Sequence, residues 1–429
     1  MGTRGTAAVL MLVVSLVLAA PASARFGFMR AWGTIGNGDG QFALPDGLGV
    51  DNAGTVWVAD RDNNRLERFT ADGRFLPFPP FRHQHRSSAP GRFNVPYDIA
   101  PDALGNLYVA DTHNDRIQEF SPTGKLIRKW GRHGSGAGEF WDPRGIAIDP
   151  FGNVWVADHE NKRVQKFTWD GRFLGKFGAH GGDGTLGWGP GEFNSPRGLS
   201  SDAEGNIYVA DDANHRIQKL DNDGRPLAMW GQTAVRGRAD GQFDLPYGTA
   251  VDAFGHLWVA DTGNNRLVEM TTDGVLIAKY GANGGDGASG NRRGQFAAVY
   301  NVAADCAGNV YATDKGNWRV QKFGDPSFGR PACPPGVSVA GVAVSSRAVS
   351  ASVTCDRPCR ARAVLALGRR VSRGRARVLR YGGTARVSVR VPRGFVAGRG
   401  GQASLQLSGS GAPGAVRTVV RHVRLAGGG

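Results

Sequence analysis

The chain has 429 residues, enough for two or three domains with sizeable cores, and its 41% hydrophobic and 21% charged content lies close to globular averages. Its 65 glycines are roughly twice the usual share of about 7%; lacking an every-third-residue pattern, they exclude collagen and indicate a turn-dense all-β chain. The net charge of +15 is segregated: from residue 331 onward there are 17 Arg, one Asp (Asp356) and no Lys or Glu, a net of +16, whereas the preceding 330 residues carry 35 basic and 36 acidic groups.

Residues 1–24 read as an export signal. Arg4 gives a positive start, Ala7 to Ala20 is an apolar run too short to span a bilayer, and Ala22-Ser23-Ala24 is a small-x-small cleavage site. No other segment approaches the roughly 18 apolar residues of a transmembrane helix. The expected mature protein is therefore secreted, extracellular or held at a cell surface.

Residues 25–325 contain one phrase six times: GTVWVADRDNNRLERF, GNLYVADTHNDRIQEF, GNVWVADHENKRVQKF, GNIYVADDANHRIQKL, GHLWVADTGNNRLVEM and GNVYATDKGNWRVQKF. The closing acids, Asp60, Asp111, Asp158, Asp211, Asp261 and Asp314, are spaced 47 to 53 residues apart. A second phrase precedes each copy (GEFWDPRGIAID) and a third follows most (GKLIRKWG), giving four short apolar runs per unit, cut by Gly, Asn and Asp turns. Four strands per roughly 50 residues, repeated, define β-propeller blades. These phrases closely resemble the NHL repeat over about residues 26 to 325, which implies a six-bladed β-propeller. Two departures occur: Val299 stands where the other units have Pro, and Thr313 replaces the Ala before the last Asp.

The sixth unit stops at Gly324 without a fourth run, and Phe28 to Gly33 matches Leu126 to Gly131, so the N-terminal strand is expected to close the ring and remove two open edges. Each closing Asp has an Arg five residues on (Arg65, Arg116, Arg163, Arg216, Arg266, Arg319) and reads as a brace for the turn rather than as a catalyst. The Gly-rich stretches such as GRHGSGAGEF recur between units with no helix after them, so they are inter-blade loops and not phosphate cradles.

Chemistry is expected where the copies differ. Around the first-strand Gly stand Asp46, Tyr97 with Asp98, Arg144, Arg197, Tyr247, and Tyr300 with Asn301. The resemblance places these positions at the mouth of the central channel. Arg offers bidentate recognition of carboxylate or phosphate, and Tyr offers stacking area with a polar tip. The resemblance also suggests an alternative, a metal-assisted lyase or hydrolase like the peptide amidating lyase, which holds its metal through His at these first-strand positions. This chain has no His there. Its nearest metal pair is His113 with His159, on turns after Ala-Asp whose other occupants (Arg, Asp, Thr, Lys) read as freely varying surface. His83-Gln84-His85, in the Pro-rich loop from Leu76 to Pro90, is a weaker signal. No cofactor is expected under the first reading; zinc or calcium is, under the alternative.

Residues 326–336 form a Pro-marked linker. Residues 337–429 carry seven β-type runs in which Arg alternates with apolar residues, suggesting a small immunoglobulin-like β-sandwich with one cationic face. Asp-Arg-Pro between Cys355 and Cys359 is turn chemistry that lets these two pair, leaving Cys306 for Cys333. The expected function is that of an exported, non-catalytic recognition or scaffold protein. The channel mouth would bind a small anionic ligand, peptide or glycan, and the basic tail would meet an anionic cell-surface polymer. Export argues against nucleic acid as the tail's partner.

Overall fold

A computed structural model describes residues 26–325 apart from 79–80, 82–84 and 103–104, together with the backbone of strands between 337 and 424. Residues 1–24, the linker and its Cys333 lie outside the described residues. So do the side chains of 337–429, and with them the expected disulfide partners Cys355 and Cys359.

Six sheets surround a central axis. Blade 1 holds β2 (Pro45–Val50), β3 (Val56–Asp60) and β4 (Arg65–Phe69). Blade 2 holds β5 (Pro96–Pro101), β6 (Leu107–Asp111), β7 (Arg116–Phe120) and β8 (Leu126–Trp130). Blade 3 holds β9 (Pro143–Ile148), β10 (Val154–Asp158), β11 (Arg163–Phe167) and β12 (Phe173–Phe177). Blade 4 runs from β13 (Pro196–Ser201) to β16 (Pro226–Gly231) and blade 5 from β17 (Pro246–Val251) to β20 (Leu276–Gly281). Blade 6 is β21 (Val299–Ala304), β22 (Val310–Asp314) and β23 (Arg319–Gly324), closed by β1 (Gly27–Trp32). The closing pair is antiparallel, Gly27 opposite Gly324 and Trp32 opposite Val320, as the sequence led us to expect.

The Val-Trp-Val-Ala run of a second strand is apolar throughout because both its faces are buried. Val154 and Val156 pack with Tyr108 and Ile117 of blade 2, while Trp155 and Ala157 pack with Ile207 and Leu220 of blade 4. Six such clusters, each shared by neighbouring blades, replace a single core.

Blade 1 departs from the expected four strands. Phe75 forms only an isolated bridge with Phe69, and the last ladder bond runs from Leu76 N to Arg68 O at 2.9 Å. Pro77 has no N–H to continue it. The chain turns inward instead, and Phe78 and Phe81 pack edge-on against Trp57 at 5.3 and 6.4 Å.

The braces form in every blade. In blade 3, Arg163 donates from Nε to Asp158 Oδ2 at 2.7 Å, and its other nitrogens reach the carbonyls of Ser135, Gly136 and Glu139. Asp158 Oδ1 accepts Trp141 N at 2.8 Å, so one ion pair ties the inter-blade loop to the turn.

Beyond residue 336 the described backbone forms eight strands rather than seven. A three-stranded sheet joins β24 (Val337–Val344), β25 (Ala348–Cys355) and β29 (Thr384–Arg390). A second sheet joins β26 (Cys359–Leu367), β27 (Arg370–Arg373), β28 (Arg377–Leu379), β30 (Gln402–Ser410) and β31 (Val416–Arg424). The additional strand is β27, which doubles back so that Arg370 pairs with Leu367. Among the described residues, no helix is long and apolar enough to cross a membrane.

Candidate functional site at the channel mouth

Each innermost strand carries a β-bulge immediately after its first residue: the register breaks between Pro45 and Leu48, Pro96 and Asp98, Pro143 and Ile146, and equivalently in the remaining blades. A bulge frees residues from the ladder and re-aims their side chains. The freed residues include all the varied ones except Asp98, which stays paired with Ala110. All eight residues expected there (Asp46, Tyr97, Asp98, Arg144, Arg197, Tyr247, Tyr300 and Asn301) line one cavity of about 320 Å³, open space at its mouth included.

Glycine sets how narrow the floor is. A Cβ on Gly47 would meet Asp98 Cα at 2.5 Å, and one on Gly248 would meet Asn301 Cα at 2.7 Å, so innermost strands approach this closely only where Gly stands. Blades 2 and 6 have Asp98 and Asn301 instead, and these side chains fill the axis. Asn301 Nδ2 donates to Asp98 Oδ1 at 2.8 Å, while Ile146 N donates to Asp98 Oδ2 at 3.0 Å. Burial pushes the Asp98 carboxyl up to about 7, against the pull of these donors. Asp98 and Asn301 are thus the floor, linking blades 2 and 6 across the inner edge of blade 1. Thr313, the departure from Ala, belongs to the same network: its Oγ1 donates to Asp46 O and accepts Asn301 N, both at 2.9 Å.

The walls alternate cations with aromatic rings. Arg61 and Arg144 lie 4.9 and 4.6 Å from the Tyr97 ring, Arg197 lies 4.0 Å from Tyr247, and Lys315 lies 3.7 Å from Tyr300. Tyr247 and Tyr300 meet edge to face at 4.5 Å. Carboxylates hold the cations in place: Asp46 takes Lys315 at 3.0 Å and Arg61 at 3.5 Å, Asp142 takes Arg144 at 2.6 Å, and Asp212 takes Arg197. Burial raises the Asp46 carboxyl and the Tyr97 and Tyr300 hydroxyls, which keeps the rings neutral.

Arg61, Asp212 and Lys315 escaped the sequence reading. They share one position with Thr112, His159 and Thr262: the residue directly after the closing Asp. That position is not freely varying surface. Thr112, His159, Asp212, Thr262 and Lys315 are all buried, because the turn points the residue at the next blade. Thr112 Oγ1 donates to Pro143 O at 2.7 Å, and Thr262 Oγ1 to Val299 O at 2.6 Å. The signal available in sequence was the variation itself, at a fixed offset from a fixed Asp.

His113 and His159 are not equivalents either. His159 directly follows its Asp and is buried, which drives its imidazole down to about 3, with the Arg144 charge adding to the effect. His113 is second after its Asp and half exposed, its Nε2 3.9 Å from Asp142 Oδ1. His83 lies outside the described residues. The first-strand positions where the amidating lyase resemblance implies His hold Asp, Tyr and Arg, so that donor set does not fit a metal.

The NHL repeat family model matches residues 42–69, 140–167 and 193–220, three of the six units. The chain therefore carries NHL repeats on a six-bladed β-propeller. Human NHL repeat-containing protein 3 is 34% identical over 94 residues, which is 21% of this chain and 26% of that protein. Mouse peptidyl-glycine alpha-amidating monooxygenase is 36% identical over 106 residues, 24% of this chain and 11% of the relative. The chain thus matches about a quarter or less of either relative's length. Among solved structures, a streptogramin B lyase superposes with a TM-score of 0.47 at 17% identity, over 71% of this chain and all of the other. That level of likeness carries no argument about activity.

Proposed function

We propose that the protein is an exported, non-catalytic recognition module whose channel mouth takes a small anionic group: a free carboxylate or sugar acid, or the acidic end of a peptide or glycan. The observation that carries this reading is the ring of four cations stacked on three tyrosines above a closed floor. Each cation is pre-oriented by at least one carboxylate and by a ring face, so a ligand need not pay to order it. The cavity's size favours a terminal group over an extended chain. A thermal-shift and calorimetric screen with sugar acids, peptides and cell-wall fragments tests the reading. Arg144→Ala with Arg197→Ala should abolish binding of any hit. Unchanged binding in that variant sinks the site.

The two C-terminal sheets are proposed to pack as a β-sandwich with Cys355–Cys359 and Cys306–Cys333 disulfides, which peptide mapping without reductant would establish. Its Arg-rich face would hold the protein on an anionic surface polymer. That attraction should fall steeply between low and physiological salt, where the Debye length is about 8–10 Å. A chain ending near residue 329 should lose it.

A second reading, a metal-assisted lyase, draws on the match to the amidating monooxygenase and on a similar match to a probable peptidyl-alpha-hydroxyglycine alpha-amidating lyase of Caenorhabditis elegans, 30% identical over 91 residues. It requires turnover of peptidyl-α-hydroxyglycine that disappears on chelation. Its absence leaves the recognition reading alone.

A further inference from the structure

We propose that Asp142, His159 and Glu160, with His113 as a fourth donor, form a divalent transition-metal site of the zinc class on the rim of the channel mouth. This goes beyond the anion-binding reading and does not depend on it.

The donors come from three loops brought together by blades 2 and 3, and the ligand atoms of Asp142, His159 and Glu160 already lie within 4.8 Å of one another. His159 Nδ1 lies 3.2 Å from Pro196 O, and a carbonyl can only accept, so Nδ1 carries the proton. The lone pair then sits on Nε2, in a side chain whose residue is only 4% exposed. Nε2 faces Glu160 Oε1 at 3.5 Å, an acceptor facing an acceptor, which a bound cation would reconcile. A backbone carbonyl fixing the distal nitrogen is the usual support of a ligating imidazole.

Each carboxylate is divided in a way that suits this role. Asp142 uses Oδ2 for Arg144 at 2.6 Å and turns Oδ1 toward His113 Nε2 at 3.9 Å. Glu160 uses Oε2 for Lys162 at 3.2 Å and leaves Oε1 toward His159. Two imidazoles and two carboxylate oxygens make a donor set for zinc rather than calcium, which takes oxygen ligands. A second cluster, Asp252, His256 and Glu269, provides the contrast. There Asp252 Oδ2 accepts Trp258 Nε1 at 2.9 Å, Glu269 Oε2 accepts the Tyr280 hydroxyl at 2.8 Å, and His256 Nδ1 binds Glu269 Oε1 at 2.9 Å. Its carboxylate oxygens and His256 Nδ1 are occupied by the fold.

The test is calorimetric titration of the chelator-treated, dialysed full chain with zinc alone, and with cobalt for its absorption spectrum. One zinc per chain and a tetrahedral cobalt band are expected. Asp142→Asn and Glu160→Gln should each weaken zinc by at least about tenfold, and Asp252→Asn should leave it unchanged. Glu160 is partly exposed, so Glu160→Gln should keep its melting midpoint, and its zinc affinity is decisive even if Asp142→Asn unfolds. Absence of saturable uptake, uptake unaltered in Glu160→Gln, or displacement of zinc by equimolar calcium would overturn the site.

Discussion

Asp158 and His159 are neighbours in the chain and opposites in role. Asp158 has a counterpart in every blade, and each counterpart is held by the Arg five residues on, at 2.6 to 2.9 Å. His159 has no counterpart: the same position holds Arg, Thr, Asp, Thr and Lys in the other blades. The repeated residue answers a need each blade has separately, pairing the carbonyls of an inter-blade loop that would otherwise be buried unsatisfied. The varied residue faces a place where all six blades converge, so the five kinds of side chain found there make one asymmetric surface. Repetition marks the scaffold; departure from it marks where the blades act together.

Breaking the repeated layer should have the largest effect. Arg163→Ala strands Asp158, which is fully buried, and four loop carbonyls. Removing one partner of a buried pair costs about 3–5 kcal/mol, to be read from urea unfolding. A loss under 1 kcal/mol would show that the brace is decoration. Arg319, whose side chain is 15% exposed, should lose least of the six.

Within the scaffold layer one position sharpens the contrast. Gln118, Gln165, Gln218 and Gln321 each accept a loop Gly N–H and donate to a loop carbonyl and to the brace Asp. Blade 1 has Glu67 there. Its Oε1 accepts Gly40 N at 3.2 Å, but Oε2 is buried without a hydrogen-bond partner. Burial, with the Asp60 charge adding and Arg65 opposing, raises its carboxyl from 4.5 to about 8. A folded pKa above the unfolded one gives stability that is complete below pH 4.5 and is lost as pH climbs toward 8. Glu67→Gln should remove that slope and stabilise the protein at pH 8 by on the order of 1–3 kcal/mol. Parallel melting curves of both proteins from pH 5 to 8 would refute this.

The difference between the layers also decides what the sequence shows. The six closing Asp residues, the Arg five residues on, and the match of Phe28–Gly33 to an outer strand are local patterns, and they specify the ring and its closure. The eight mouth residues were legible because they depart from the repeat at its Gly. Arg61, Asp212 and Lys315 were not, because a polar residue in a turn looks like any solvated surface, and only the turn's direction sends it inward. The missing outer strand of blade 1 was equally hidden: Phe75 and Leu76 fit the pattern, and Pro77 ends the ladder two residues in.

Thr313 tests the boundary between the layers, since the other five blades manage with Ala. Thr313→Ala leaves Asp46 O and Asn301 N without their partner. A cost of about 1–2 kcal/mol is expected, smaller than the loss of a brace because no charge is stranded. Equal stability would mean that the floor repacks freely.

The smallest expected effect on stability, and the most telling, is Arg144→Lys. In the brace, Arg163 uses Nε and both terminal nitrogens on five different partners, and a single ammonium cannot reproduce that fork. At the mouth, Arg144 has one carboxylate partner, Asp142, whose side chain is 15% exposed, and one ring face, Tyr97. Lysine can retain both, as Lys315 does with Asp46 and Tyr300. Unfolding should therefore shift by under about 1 kcal/mol. Ligand capture should still fall, by roughly tenfold, because the planar pair of N–H groups that grips a carboxylate is gone. A variant that unfolds early would put Arg144 in the scaffold layer. One that keeps both fold and full affinity would show that charge alone, and not the guanidinium fork, is what the mouth offers its ligand.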